Sequence, residues 1–139
     1  MKLAAKICVI VLSFCAASIA AGDEQAETAA QSAALAWLSL VDAGNYAESW
    51  TAASTRFRTA IRQEQWQARA ARARTPFGAL KSRKLQSAIF KRTLPGAPDG
   101  EYVVIQFASS FENKAAAIET VTSMKDEDGS WRVSGYYIE

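Results

Sequence analysis

The sequence contains no histidine, and its two cysteines, Cys8 and Cys15, both lie within the first fifteen residues. Without histidine the chain lacks the commonest general base, the histidine-activated nucleophiles and the imidazole metal ligands. It also contains no glycine-rich phosphate loop and no metalloprotease helix motif. We therefore expect no metal, no cofactor and no catalytic residue, and a protein that works by binding.

Long apolar runs are scarce as well, and the clearest one stands near the N-terminus. Lys2 and Lys6 lie around its start, Ile7–Phe14 forms the run, and small residues follow at Ala16–Ala21. This order is typical of a cleavable secretory signal. We predict a signal peptide over residues 1–20 and a periplasmic or secreted protein.

Two other interpretations of this N-terminus are weaker. A retained membrane anchor needs an apolar run of about 20 residues, and this run is shorter. A lipoprotein attached through Cys15 needs a small residue before the cysteine, where Phe14 stands. We therefore expect no transmembrane anchor after cleavage.

The remaining chain, residues 21–139, has the length of one domain. Cleavage would remove both cysteines, so the domain would rely on its hydrophobic core rather than on a disulfide. It would also remove Lys2 and Lys6, leaving 14 basic and 14 acidic residues. A neutral exported domain is a poor candidate for nucleic-acid binding.

The first half of the domain shows helical periodicity. Apolar residues recur at helical spacing over 23–42, 46–55 and 62–74. Ala30, Ala34, Trp37, Leu38 and Val41 form the stripe of the first of these segments. Pro76 ends the third helix, because the residue before a proline resists helical angles.

In the second half of the domain, apolar residues recur at every second position, and short polar turns separate the segments. We predict strands over 81–94, 101–111, 115–125 and 130–138, with a β-bulge near Ile89. Val103, Ile105 and Phe107 form the expected core row of the second strand. Three helices followed by a four-stranded antiparallel meander predict an α+β fold.

Four segments resemble a bacterial family known as domain of unknown function 4019. These are Ala36–Trp50, Gly78–Lys84, Leu94–Phe107 and Trp131–Tyr137, so the resemblance covers nearly the whole predicted domain. The family implies a small exported protein with no established activity. More loosely, the chain looks like the cone-shaped, cystatin-like rolls of nuclear transport factor two and SnoaL-like proteins. Such cones include isomerases, dehydratases and binding modules, so this likeness does not select a function.

Carboxylates are the remaining catalytic option. Glu119 lies in the middle of the third predicted strand, with Ala117 and Val121 on the same row. We expect it on the solvent face, paired across the sheet with a basic residue. If it faced a cavity instead, a carboxylate-based isomerase or hydratase would be the alternative. The acidic cluster Asp126–Asp128 lies in a hairpin turn without the spacing of a calcium loop.

Basic residues concentrate between Arg56 and Arg92, where eleven lysines and arginines accompany one acid, Glu64. One interpretation is a solvated surface neutralised by the protein's own acids. The other is a basic face for an anionic envelope component or an acidic protein partner. The candidate residues are Arg62, Arg69, Arg72, Arg83 and Lys84.

Aromatic residues supply a rival site. Most belong to the expected core, but an open cone would present some of them to a small apolar ligand. The pocket candidates are Tyr46, Trp50, Trp66, Phe107 and Tyr137. An apolar second face of the sheet, with Tyr102, Val104, Ala108, Tyr136 and Ile138, would instead favour a homodimer.

Overall fold

A computed structural model describes the backbone of residues 15–139 and the side chains from residue 21 onward. The predicted signal run Ile7–Phe14 lies outside these residues. Helix α1 spans Cys15–Asp42, α2 Tyr46–Ala52, α3 Thr55–Ala60 and α4 Gln63–Arg74, and a 3₁₀ turn follows at Thr75–Phe77. Strands β1 to β4 span Leu80–Lys91, Tyr102–Phe111, Lys114–Lys125 and Trp131–Ile138. The fold is α+β, as the sequence predicts.

The described residues contain four α-helices rather than the three that we predicted. The predicted second helix is interrupted because Ala53 and Ser54 adopt extended backbone angles. Ser54 donates its backbone N–H to Val133 O and accepts a hydrogen bond from Phe57 N through its side chain. Serine is a favoured N-cap residue, and here it starts α3. The expected cleavage point after Ala20 falls within α1, which begins earlier than predicted.

The four strands form one antiparallel sheet in the order β1-β2-β3-β4. This is the predicted meander, and each strand begins and ends within three residues of its predicted bounds. Val103, Ile105 and Phe107 are buried, as their period-two spacing indicates. The buried side chains of α1 cover this face, with Ala30, Ala34, Trp37, Leu38 and Val41 in the core.

Two β-bulges change which side chains face the core. The register of β1 shifts between Leu85 and Ser87, a few residues before the predicted bulge near Ile89. The register of β4 shifts between Val133 and Gly135. A strict period of two along this strand predicts that Tyr137 shares a face with Val133. The extra residue in β4 instead puts Tyr136 against the core and leaves Tyr137 60% exposed.

A loop covers one corner of the outer face of the sheet. The Tyr102 hydroxyl donates to Pro98 O at 2.6 Å, and the residue is 2% exposed. Tyr102 therefore does not belong to an open apolar surface, contrary to our prediction. In the described part of the chain, no helix combines the length and apolarity needed to cross a membrane.

Candidate functional site

A cleft of about 640 Å³ opens between α3, α4 and the edge strand β4. This volume is in the range of small-molecule sites. The cleft lies there because the short α3 and the following α4 leave the outer end of β4 uncovered. Its lining consists of Arg56, Phe57, Ala60, Ile61, Trp66, Arg69, Ala70, Ala73 and residues 134–138.

Aromatic packing holds the apolar side of this cleft in place. The Phe57 and Trp66 rings meet edge to face with centroids 5.0 Å apart. The Trp66 indole N–H donates to Ser49 Oγ at 2.8 Å, so its polar atom is satisfied inside the protein. The ring is therefore a fixed apolar surface, suited to contact with an apolar group.

The polar side of the cleft is cationic. Arg56 and Arg69 line it, and no acidic residue does. Arg56 donates from Nη2 to Gly96 O at 2.9 Å. Arg69 is exposed, and no carboxylate of residues 21–139 forms an ion pair with it. Arg56 forms no ion pair within these residues either, so an anionic group in the cleft would meet two guanidiniums without a counterion.

A buried charge cluster lies behind the cleft, beyond Tyr136. Glu119 is completely buried, which corrects our expectation that it lies on the solvent face. It accepts hydrogen bonds from Arg83 Nε at 2.8 Å, from the Ser109 hydroxyl and from the Tyr136 hydroxyl. The basic partner that we expected across the sheet does exist, and it is Arg83 of β1.

Asp42 closes the cluster at the end of α1. Its carboxylate accepts hydrogen bonds from Arg83 Nη1 and from Arg74 Nη2, each at 2.8 Å. Arg74 Nη1 also lies 3.9 Å from Glu119 Oε2. Two carboxylates thus face two guanidiniums, and the cluster is electrically neutral. It joins α1, α4 and all four strands.

The pKa values in this cluster follow from burial and ion pairing. Burial by itself would raise the pKa of Asp42, but the hydrogen bonds from Arg83 and Arg74 outweigh it and lower the pKa below its usual value. Burial and the adjacent Glu119 raise the pKa of the Tyr136 hydroxyl. Tyr136 therefore keeps its proton and donates a hydrogen bond to Glu119 at every physiological pH.

The cleft unites residues from both of our rival sites. Arg69 was predicted for anion binding, and Trp66 and Tyr137 were predicted for a pocket; all three line the cleft. Arg62, the N-cap residue of α4, and Arg72, on α4, are exposed nearby but do not line the cleft.

The other predicted site residues lie elsewhere. The Arg83 side chain is 9% exposed and already paired with two carboxylates, so it is not free for an external anion. Phe107 belongs to the core, and Tyr46 and Trp50 pack against that core outside the cleft. Lys84 is exposed on β1, far along the sheet from β4.

Sequence reasoning missed the charge cluster, although one signal was present. Glu119 shares its row with Ala117 and Val121, both of which are buried. A carboxylate on an apolar row is a sign of a buried, compensated charge. Nothing in the spacing of Asp42 and Arg74 indicated that they would meet, because they lie on different helices.

The acidic turn after β3 has a structural role that the sequence did not reveal. Asp126 is 7% exposed and accepts hydrogen bonds from the backbone N–H and the hydroxyl of Thr55. It also accepts from Arg132 Nη1 at 3.2 Å. Among the described residues, no three acidic or cysteine side chains converge as a metal site.

A protein-family model matches residues 33–136, and its description is "Protein of unknown function (DUF4019)". The search of curated proteins found no match. The search of solved structures found none either.

Proposed function

The chain belongs to the family of proteins of unknown function DUF4019, and from its site we propose an exported, non-catalytic binding protein. The ligand that the α3–α4–β4 cleft would take is a molecule with an apolar part and an anionic group. The observation that carries this proposal is the meeting of Arg69 with Trp66 in one cleft. An anionic envelope component, such as a lipid with a charged headgroup, has both features.

The two halves of the cleft would contribute differently to binding. The apolar wall, where Ile61, Tyr137 and Ile138 keep exposed surface beside the buried Phe57 and Trp66, favours binding in proportion to the apolar area removed from water, at about 25 cal/mol per Å². The exposed Arg69 attracts the charged group, and salt screens that attraction. We therefore expect affinity that falls with salt without disappearing.

Export is supported by the predicted signal over residues 1–20. Lys2 and Lys6, the apolar run and the small residues that follow have the order of a secretory signal. In the periplasm the ligand would come from the envelope. Expression of the full chain with a tag at Glu139, followed by fractionation and mass determination, tests the location and the cleavage point together.

The binding proposal is tested by calorimetry with decanoate, using decanol and acetate as the apolar-only and anion-only controls. We expect decanoate to bind more tightly than either control. Arg69→Glu should weaken decanoate about tenfold, since it replaces attraction by repulsion at the cleft. Arg72→Glu is the matched control, because it makes the same charge change on the exposed face of the same helix, outside the cleft. It should change the affinity by about twofold at most.

Equal losses in the two variants would place the anion on the general basic surface and contradict the cleft. Absence of decanoate binding would contradict the proposed ligand class. A decanoate affinity equal to that of decanol would mean that the arginines take no part.

A carboxylate-based isomerase or hydratase is the second candidate, and the Tyr136–Glu119 pair favours it. Tyr136 lines the cleft, and its hydroxyl donates to the buried carboxylate. However, Glu119 already accepts three hydrogen bonds and has no exposed surface, so a substrate has no direct access to it. A crystal structure of the decanoate complex decides between the two. An unbroken Tyr136–Glu119 bond supports binding, and a ligand atom bonded to Glu119 supports the enzyme.

We further propose that the helices and the curved sheet form a cone-like roll and that its outer sheet face is a homodimer interface. The outward residues of the two central strands carry no charge. They are Val104, Gln106, Ala108 and Ser110 on β2 and Ile118, Thr120, Thr122 and Met124 on β3. The charged residues of this face lie on the flanking strands, at Lys84, Lys91 and Arg132, so the centre of the face meets its own copy without a like-charge conflict.

A further inference from the structure

A second cleft of about 510 Å³ lies on the other side of α3 from the first. It is bounded by α1, α2, α3 and the start of β4, and it shares no lining residue with the first cleft. The lining residues that matter here are Trp37, Leu40, Thr51, Arg58, Trp131 and Arg132. Apolar rings and aliphatic side chains therefore surround two guanidinium groups.

Arg58 is the unusual member of this lining. Its Nε is buried and has no hydrogen-bond partner. Within residues 21–139, the one hydrogen bond of its side chain is from Nη2 to Thr55 Oγ1, at the long distance of 3.5 Å. Guanidinium groups that are partly buried normally have a carboxylate or several acceptors, because an unpaired polar group in the interior is costly.

The charges of the neighbouring residues leave Arg58 uncompensated. Arg132 is paired with Asp126 and Asp128 at 3.2 and 2.7 Å, but neither of these acids lines the cleft. No acidic residue is among the lining residues at all. The cleft is thus electropositive at Arg58, with half-buried Trp131 beside it.

We propose that this second cleft binds an oxyanion, carboxylate or phosphate, that is joined to a small apolar group, and that Arg58 is its anchor. Two oxyanion oxygens match the two terminal nitrogens, Nη1 and Nη2, of one guanidinium in a bidentate pair, and the Nη2 contact with Thr55 is solvent-exposed. The apolar group would lie against Trp131 and Leu40. This site is independent of the proposed function, since no residue of the first cleft takes part.

The four tryptophans allow a site-resolved test. Each indole N–H gives its own signal in a nitrogen–proton correlation spectrum. Trp131 lines the second cleft and Trp66 the first. Titration of the purified protein with phenyl phosphate should shift the Trp131 signal in a saturable way. Inorganic phosphate and phenol are the controls for the oxyanion and for the apolar group, and each should bind more weakly.

Arg58→Met removes the anchor while keeping an unbranched apolar stem. We expect it to weaken phenyl phosphate at Trp131 about tenfold or more, as the loss of a charge-assisted bidentate pair does. Arg56→Met is the matched control, two residues away on the same helix and lining the first cleft. It should leave the Trp131 titration within about twofold of the unmodified protein.

The folding of Arg58→Met is checked by its melting temperature, which should stay equal or rise, because a buried nitrogen without a partner is removed. If that variant fails to fold, Arg58→Lys replaces it. Lysine keeps the charge but lacks the planar pair of guanidinium donors, so it should weaken binding several-fold. An unmoved Trp131 signal, or an Arg58→Met affinity within twofold of the original, overturns the proposal. If inorganic phosphate binds as tightly as phenyl phosphate, the proposal that the ligand carries an apolar group is wrong.

Discussion

Glu119 carries a carboxylate at a position without solvent exposure, and its neighbours explain how. Arg83 donates directly to it, Arg74 lies 3.9 Å away, and two hydroxyl groups supply further donors. Asp42 neutralises the second guanidinium of the cluster. Breaking such a buried pair is costly because the partner charge remains buried without compensation.

Replacing Glu119 by Gln should therefore destabilise the domain by about 3–5 kcal/mol, since Arg83 loses one of its two anions. Glu101→Gln is the control, because Glu101 forms an exposed pair with Lys125 at 3.5 Å. It should cost at most about 1 kcal/mol. Urea denaturation at neutral pH measures both. A loss of under about 1 kcal/mol for Glu119→Gln would contradict an ionised, compensated Glu119.

Asp126 holds the start of α3 against the turn between β3 and β4. The backbone N–H of Thr55 is the largest factor that lowers its pKa, to about 2. The folded-state pKa is thus below the unfolded value, so the charged form is favoured by folding. This contribution is fully present above the unfolded pKa and is lost as the pH falls from about 4 towards 2.

Asp126→Ala should cost about 2 kcal/mol at pH 7, since it removes a helix cap and a charge-assisted hydrogen bond. The difference from the unmodified protein should shrink as the pH falls below about 4, because the carboxyl group is then protonated. Denaturant titrations of both proteins at pH 7, 4 and 2.5 measure this difference in the free energy of unfolding. Asp99→Ala, in an exposed loop, should change stability at pH 7 by under about 0.5 kcal/mol. A pH-independent difference for Asp126→Ala would contradict the role of its charge.

At the scale of elements, the junction between α4 and β1 depends on Gly78. The residue has φ +74°, a region that favours glycine. A Cβ added there would lie 2.9 Å from Glu112 Oε2 and 3.0 Å from Glu112 Cβ. The turn between β2 and β3 packs against this junction, and Asn113 N donates to Phe77 O at 2.9 Å.

Gly78→Ala should therefore destabilise the domain by about 3 kcal/mol, because the backbone at φ +74° and ψ −161° is essentially restricted to glycine and the added Cβ overpacks the junction. Gly44→Ala separates the two effects, because Gly44 has φ +77° with no atom within 4 Å of the added Cβ. It should cost about 1 kcal/mol, from the backbone alone. Thermal denaturation of both variants gives the difference. Equal costs would mean that Glu112 moves aside without loss.

At the scale of the whole molecule, our proposal makes the outer face of the sheet the homodimer interface. Four strands of about ten residues cover about 600 Å², so two copies face to face would bury about 1,200 Å². This is at the lower end of stable interfaces. The face centres on Thr120, which pairs with Gln106 and Tyr137 on the neighbouring strands. Tyr136 cannot take part, contrary to our prediction, because it packs on the core side.

Sedimentation velocity at about 50 μM should show a dimer, and Thr120→Lys should convert it to a monomer by setting like charges across the two-fold axis. Gln25→Lys adds the same charge on α1 and should leave the dimer intact. A monomer before any substitution would contradict the interface. A dimer that survives Thr120→Lys would place the interface elsewhere.

The sequence by itself determined the element types and nearly all strand bounds. Its period-two and period-3.6 patterns reflect which side of an element is buried, and this is a local property. The core rows of α1 and β2 were predicted correctly for that reason. The break at Ala53 and Ser54 and the bulge in β4 were not predicted, because two extended residues between helices, or one extra residue in a strand, leave little trace in a pattern.

Only the tertiary structure decided which polar residues meet. Asp42, Arg74, Arg83 and Glu119 come from four elements, and their pairing depends on how the helices pack on the sheet. The same packing opened the two clefts and placed Arg56 and Arg69 in one and Arg58 in the other. Charges interact through space and not along the chain, so their partners follow from the fold and not from their spacing.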